Sequence, residues 1–459
     1  MAFEYETIDD LVSYAREAEG EYLKDIDKQN MLENTNVKGK VGTIIEASYF
    51  GYEINSKPEP DFADVGVELK TTGLKKLKNG QLSAKERLVL NIINYEDEVK
   101  VDFEDSSFWK KNAKLLIFFY TYTRDKDGKP DYRNFQIVKT VLHEFTGTDL
   151  EIIKQDFEDI KAKILSGEAH MISEGDTNIL GACTKGATAK SLRMQPYSET
   201  PAKQRAFSLK QGYMTALVRK YIKDTKMISF TSPEELEGKT FEELLHDYFR
   251  PYIGKRDIDI ADDLNHQLSR SKNKLALLSS RILGIQGTSL NHIEEFSKLN
   301  IKFKTIRATK TGTMQESMSF GNVDYEEILQ EDWEESSLKM EMESIKWLFI
   351  VFQEDEEGNP VLKGIKLWNV PESILDDEIR NFYNEVKRIL QEGFEEWPVG
   401  KQRRNNFPKS GFNGVCHLRT KGANREKSMV TLSDGQRIPG HAFWFNSRFV
   451  KNLVEELID

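Results

Sequence analysis

The stretch Pro58-Glu59-Pro60-Asp61-Phe62-Ala63-Asp64-Val65-Gly66-Val67-Glu68-Leu69-Lys70-Thr71-Thr72 sets three ionisable groups, Asp61, Glu68 and Lys70, on or just before a short apolar run. Side chains alternate along a strand, so Glu68 and Lys70, on either side of Leu69, point to one face. Two carboxylates beside an ammonium are the minimal set for a hard divalent cation, an attacking water and a phosphate oxygen. The same residues also suit a surface strand with a salt bridge. Only the flanking chain separates the two.

At 459 residues the chain exceeds what one core usually supports, which predicts two domains of roughly 200 residues each. An apolar content of 38% is enough to fill both cores, and the net charge of -11 rules out a uniformly basic nucleic-acid coat while leaving room for a basic cleft. Cys183 and Cys416 are too few for a disulfide framework, and neither has a neighbour at zinc-ligand spacing. The first twenty residues are acidic and helix-forming, and no apolar run reaches membrane-spanning length, so the expectation is a soluble, cytoplasmic protein with no membrane partner.

Upstream, Thr7 to Leu23 carries apolar residues at helical intervals. Val37 to Gly51 does the same, with Gly51 as its stop and Glu46 interrupting its apolar side. Glu46 fits either a solvated helix position or a third carboxylate near Asp61 and Glu68. Downstream, Arg87 to Asn94 and Leu115 to Tyr122 are rich in strand formers and should extend the sheet begun by Val65 to Thr71, with Asp127-Gly128 as a hairpin turn. Phe157 to Ile164 and Gly212 to Tyr221 read as helices. Between them, Gly181 to Lys190 reads as a loop offering backbone amides, a hydroxyl and a lysine, suited to base edges or phosphates. Arg193, Lys203, Arg205, Lys210, Arg219 and Lys220 make a local basic excess around it.

Lys57 to Ala63 followed by Gly66 to Thr71, with Lys38-Gly39-Lys40-Val41-Gly42 and Glu46 before them, resembles the active-site signature of the MutH endonuclease family, which includes a mismatch-repair nicking enzyme and restriction endonucleases that cut at GATC. The resemblance implies that Asp61 and Glu68 bind Mg2+, that Lys70 activates or positions the attacking water, and that Glu46 supports the metal site. Ser106 to Lys111 resembles the segment that supplies a further lysine, and alignment through Ser106 selects Lys111 over Lys110. Thr184, Lys185 and Gly186 fall where the family reads bases with an Arg-Pro-Lys segment, but Cys183 stands at the arginine. Ser208 falls where a tyrosine is associated with sensing adenine methylation, a departure that favours restriction over methylation-directed nicking.

The landmarks then return in order. Lys272 to Ser280 answers the helix of Glu46, with Ser280 at the glutamate. Glu294 to Thr305 answers the catalytic stretch, with Glu295 for Asp61, Lys302 for Glu68 and Lys304 for Lys70. Glu316 to Phe320 and Trp347 to Phe352 answer the later strands. Leu418 to Asn424 answers the loop, with Arg419 at the family's arginine and Thr420 and Lys421 beside it, and His441 to Asn446 answers Ala206-Phe207. A lysine at a ligand position reverses the local charge, so this copy should not hold the metal.

These residues and the resemblance predict an α/β protein of two tandem restriction-endonuclease-like domains, each a mixed central sheet flanked by helices. Residues 1–225 would be catalytic, and 226–459 a degenerate copy that binds DNA or regulates. The expected function is a Mg2+-dependent type II restriction endonuclease making double-strand breaks at GATC. A methylation-directed repair nickase and a catalytically silent GATC-binding protein are the alternatives. The expected partners are GATC duplex, a second GATC site at the second domain, and a second chain met transiently on DNA. Gly238-Lys239-Thr240 lacks the leading glycine of a phosphate loop, Pro233 standing there, so ATP is not expected.

Overall fold

In a computed structural model the described residues are 3–33, 39–52, 57–77, 80–126, 129–185, 191–222, 228–268, 271, 273–285, 293–314, 317–400, 402–421 and 428–458. They divide by contact into two compact units, Met1–Phe241 with Asn291–Asn300, and Glu242–Leu290 with Ile301–Asp459. The first unit therefore runs beyond residue 225 and takes in a short later segment. Ile293 forms a parallel bridge with Ile228, Arg219 donates to Ser297 Oγ at 2.7 Å, and Lys298 pairs with Asp149 at 2.6 Å.

The first unit is built on strands β1 (Glu68–Lys76), β2 (Leu82–Ala84), β3 (Leu88–Ile92), β4 (Lys114–Thr121), β5 (Ile137–Glu144), β6 (Leu180–Thr184), β7 (Leu192–Gln195), β8 (Ser198–Lys203) and β9 (Arg205–Leu209). A mixed sheet has the order β2-β1-β4-β5, with β1 parallel to β4 and the other pairs antiparallel. Every residue of β4 from Leu115 to Tyr120 is buried, the pattern of a strand covered on both faces. Leu69, Leu116 and Phe118 share one core with Ile44, Ile45 and Phe50 of the preceding helix. Burying each such side chain favours folding by about 2 kcal/mol, so this helix is held to the face of β1 by apolar contact.

Three expectations change. The helix expected to reach Leu23 is Ile8–Arg16, capped by the reciprocal Thr7 and Asp10 contacts, and the chain turns at Gly20, whose φ is +91°. Arg87 to Asn94 contributes β3, but not to the sheet of β1: it pairs with β9 in a separate antiparallel sheet ordered β3-β9-β6, with a shift of register between Val89 and Ile92. The loop expected from Gly181 begins as strand β6, because Gly181, Ala182 and Cys183 are buried against β9. The Asp127-Gly128 turn lies outside the described residues.

The second unit contains β10 (Ile301–Ala308), β11 (Met318–Asn322), β12 (Lys346–Glu354), β13 (Pro360–Trp368), β14 (Glu396–Val399), β15 (Gln402–Asn405), β16 (Cys416–Thr420), β17 (Met429–Thr431), β18 (Arg437–Pro439) and β19 (His441–Phe445). Its pairing repeats that of the first: β10-β12-β13 answers β1-β4-β5, parallel then antiparallel, and β11-β19-β16 answers β3-β9-β6. Its own core includes Trp347, Phe349, Val351, Phe382, Tyr383 and Phe445. The sheets and helices together make each unit mixed α/β.

Candidate active site

The candidate site forms where the helix of Glu46 and helix Ser107–Asn112 meet the start of β1. Glu46 lies in a π-helical turn, Ile44–Tyr49, that follows helix Lys40–Thr43. Such widened turns are uncommon and often occur at functional sites. Gly39, with φ of +68°, begins the helix.

Asp61 precedes a tight turn in which Phe62 bridges Val67. Its Oδ2 accepts from Leu69 N at 3.0 Å, and its own N–H donates to Glu68 Oε2 at 3.0 Å. Each carboxylate is thus fixed by the other's stretch of backbone, which brings Asp61 beside Glu68 despite their separation in sequence. Glu68 is only 2% exposed, and its Oε1 receives Lys70 Nζ in a short ion pair, with Lys111 Nζ at 3.7 Å. Lys111 also donates to the carbonyls of Lys57 at 2.8 Å and Glu59 at 3.0 Å. Lys110 is exposed and pairs with Asp105 instead, at 3.0 Å. Sequence alone carried no sign that the Lys57 and Glu59 carbonyls would hold Lys111, because backbone acceptors have no residue signature.

The electrostatics follow from this crowding. Burial, then the charges of Asp61 and Glu68, push the Glu46 carboxyl up to about 7, against the opposing pull of Lys70 and Lys111. Burial also raises Glu68, with Lys70 opposing. Among the described residues no three His, Cys, Asp or Glu side chains are grouped at metal-holding spacing. The Asp61 and Glu68 pair, with Glu46 raised by both, still fits a hard divalent cation in its donor chemistry: such ions take one or two carboxylates, and mutual repulsion between carboxylates is what a cation relieves.

The expected DNA contacts are partly brought to the surface. Thr184 and Lys185 are exposed at the end of β6, where Lys185 N donates to Gln204 O at 2.7 Å. Gly186 lies outside the described residues. Ser208 does not fit its expected role: it is 0% exposed in the middle strand β9, opposite Gly181 and Val89, so a base edge cannot reach it. Of the basic excess, Arg205 and Lys210 are buried and donate to backbone carbonyls, Arg205 to Ala182 O and Lys210 to Glu174 O and Thr177 O, which removes them from any phosphate surface.

In the second unit Arg419, Thr420 and Lys421 are exposed at the end of β16, and Lys421 N donates to Gly440 O at 2.8 Å as Lys185 N does to Gln204 O. The Arg419 guanidinium lies 4.8 Å over the Trp444 ring, and Trp444 pairs with His417 as Ser208 pairs with Gly181. Lys302 lies opposite Trp347 and Lys304 opposite Phe349, as Glu68 lies opposite Leu115 and Lys70 opposite Ile117. Ser280 is buried and donates to Ala276 O at 3.1 Å within its own helix. Glu295 departs from the expected match to Asp61: it sits in helix Glu294–Lys298, and its carboxylate accepts from Ser229 Oγ and Phe230 N in the first unit.

Comparison with known proteins gives concordant results. The family model described as "DNA mismatch repair enzyme MutH" matches residues 50–156 and again 283–378. The "Type II restriction enzyme Sau3AI" of Staphylococcus aureus is 36% identical over 487 aligned positions, covering 97% of each chain. The "DNA mismatch repair protein MutH" of Shewanella woodyi is 30% identical over 190 positions, 40% of this chain and 78% of that protein. Its counterpart in Yersinia enterocolitica is 24% identical over 191 positions, with the same two shares of 40% and 78%.

Proposed function

Because the chain belongs to the MutH-related family of type II restriction endonucleases, we propose that it cleaves both strands of duplex DNA at GATC in a Mg2+-dependent reaction, with its chemistry in the first unit. The observation that carries this reading is the meeting of Glu46, Asp61, Glu68, Lys70 and Lys111 at the start of β1. The two units are tandem copies of one endonuclease domain, as the repeated strand pairing and the twofold family match support.

Asp61 and Glu68 would hold the cation, which when bound acidifies water and neutralises charge growing on the phosphate. Lys70 and Lys111, both anchored on Glu68, hold ammonium charge where phosphate oxygens gather negative charge in the transition state. Glu46, raised to about 7, is at the right proton affinity to exchange a proton with water near neutral pH. Thr184 and Lys185, exposed at the end of β6, would contact the bases, and Arg419, Thr420 and Lys421, exposed at the end of β16, would contact a second DNA site without cleaving it.

One catalytic centre must serve two strands, so two chains meet transiently on the duplex. Unpaired Cys183 and Cys416 fit a reducing cytoplasm, and no helix among the described residues is long and apolar enough to cross a membrane.

The test is a plasmid bearing GATC, methylated or not, incubated with Mg2+ or chelator. Linear product at defined sites in Mg2+ alone supports the reading. Nicks limited to an unmethylated strand would mean a repair nickase, and protection without cleavage a DNA-binding protein.

A further inference from the structure

Helix Ser107–Asn112, which delivers Lys111, is only six residues long and is capped by Ser106, whose Oγ accepts from Trp109 N at 3.0 Å. A chain of polar side chains runs beneath it. Asn112 Nδ2 donates to Asn91 Oδ1 at 2.8 Å, Asn91 Nδ2 donates to Ser107 Oγ at 2.8 Å, and the Ser107 hydroxyl donates to Glu98 in a short bond. Asn112 is 0% and Glu98 2% exposed. Asn91 lies within the register shift of β3, the kind of local bulge that re-aims a side chain. The two ends of the chain are buried, while Asn91 is half-buried and Ser107 exposed. Polar chains fix one arrangement of the elements they join, and their buried members carry a cost in desolvation that apolar packing would not.

The second unit supplies an internal comparison. Ile92 lies opposite Ala206 and Asn322 opposite Ala442, each alanine being the second residue of its strand, so Gly321 holds the place of Asn91. Counting from the helix caps Ser106 and Ser336, Met342 holds the place of Asn112. Counting from the caps Asn94 and Asp324, Ile328 holds the place of Glu98. Met342 and Ile328 are buried in the second core at 0% and 4% exposure. Ser337 holds the place of Ser107 and its hydroxyl still donates to Glu327 at 3.2 Å, but the places of Asn112, Asn91 and Glu98 are taken by Met342, Gly321 and Ile328, so the full polar chain occurs only where Lys111 faces Glu68. The fold does not need it.

We infer that Asn112, Asn91 and Glu98 are positioning residues for the cleavage reaction, holding helix Ser107–Asn112 so that the Lys111 ammonium stays beside Glu68 Oε1. This rests on the endonuclease reading above. The three act through Lys111.

The experiment is steady-state cleavage of a GATC duplex by full-length Asn112→Met, Asn91→Gly and Lys111→Ala chains, with each of the first two also combined with Lys111→Ala. The expected result is a kcat lowered about tenfold by Asn112→Met or Asn91→Gly with KM unchanged, and no further loss when either is added to Lys111→Ala, as for groups that act as one unit. Asn91 is half-buried, so its variant keeps the test decisive should Asn112→Met fail to fold. Full kcat in a folded variant, or losses that multiply with that of Lys111→Ala, overturns the inference and leaves the endonuclease reading standing. A wild-type chain that does not cleave overturns both.

Discussion

Lys302 Nζ lies 2.6 Å from Glu341 Oε1, and the pair is the first unit's Glu68 and Lys111 with the charges exchanged. Lys302 holds the strand register of Glu68, and Glu341 stands as far beyond its cap Ser336 as Lys111 stands beyond Ser106. Both members of the second pair are well exposed, at 39% and 40%, where ion pairs contribute about 1 kcal/mol or less. Lys302→Ala should therefore lower stability by no more than about 1 kcal/mol and leave cleavage intact. Urea unfolding and a cleavage assay check both halves, and a loss of cleavage would place chemistry in the second unit.

Asp61→Asn keeps an oxygen that can accept from Leu69 N but removes the charge that would hold a cation. Cleavage should fall by about a hundredfold or more while the thermal midpoint changes little. Glu68→Gln should do the same and also weaken the seating of Lys70 and Lys111. A variant of either kind that cleaves at the wild-type rate removes the assignment.

Glu46 supplies a pH dependence of defined sign. Its folded carboxyl titrates at about 7 against an ordinary value of 4.5, so the folded chain holds the proton more tightly than the unfolded one. The stability this gives is fully present below about 4.5 and is lost as pH rises through about 7. Glu46→Gln, which cannot ionise, should lose less thermal stability than wild type as pH rises from about 4.5 through about 7. Titrating Mg2+ into wild type near pH 6.5 should release a proton that Glu46→Gln does not, measured by calorimetry in buffers of different ionisation enthalpy. Equal proton release from both chains would exclude Glu46 from the metal site.

Arg419 and Lys421 are exposed at the end of β16, and Arg419 rests on Trp444. Replacing both with alanine should leave cleavage of a one-site duplex unchanged, abolish any stimulation by a second GATC duplex, and reduce the salt dependence of DNA binding by about two phosphate contacts. Identical behaviour of variant and wild type on one-site and two-site DNA would limit the second unit to bracing.

Lys298 ties helix Glu294–Lys298 to the rest of the first unit. Its ammonium pairs with Asp149 and Glu294, each at 2.6 Å, and Asp149 also accepts from Tyr213 at 3.0 Å. The Lys298 and Asp149 side chains are only 12% and 10% exposed, and removing one partner leaves the other charge buried. Lys298→Met should destabilise the first unit by about 3 kcal/mol. Denaturant unfolding followed in that unit checks this, and a change below about 1 kcal/mol would show that the pair contributes no more than an exposed one does.

The spacing of Asp61, Glu68 and Lys70, the repeat of the strand pattern and the exchange of Glu68 for Lys302 were legible in the sequence, because strand alternation and side-chain charge are local properties that survive without a fold. The same reading placed Ser208 on a DNA surface and Arg87 to Asn94 in the sheet of β1, since one-dimensional alignment says nothing of which face a buried strand presents or which edge it joins. Tertiary structure decided both, by closing β9 between β3 and β6. It likewise decided that Glu295 turns to Ser229 and that Asn112, Asn91 and Glu98 are linked through Ser107. Those contacts join residues from separate elements, and no local periodicity encodes which distant side chains a packed core brings within hydrogen-bond reach. The stretch from Pro58 to Thr72 thus supplies the two carboxylates and a lysine by itself, while the fold determines how Glu46 and Lys111 are brought to them.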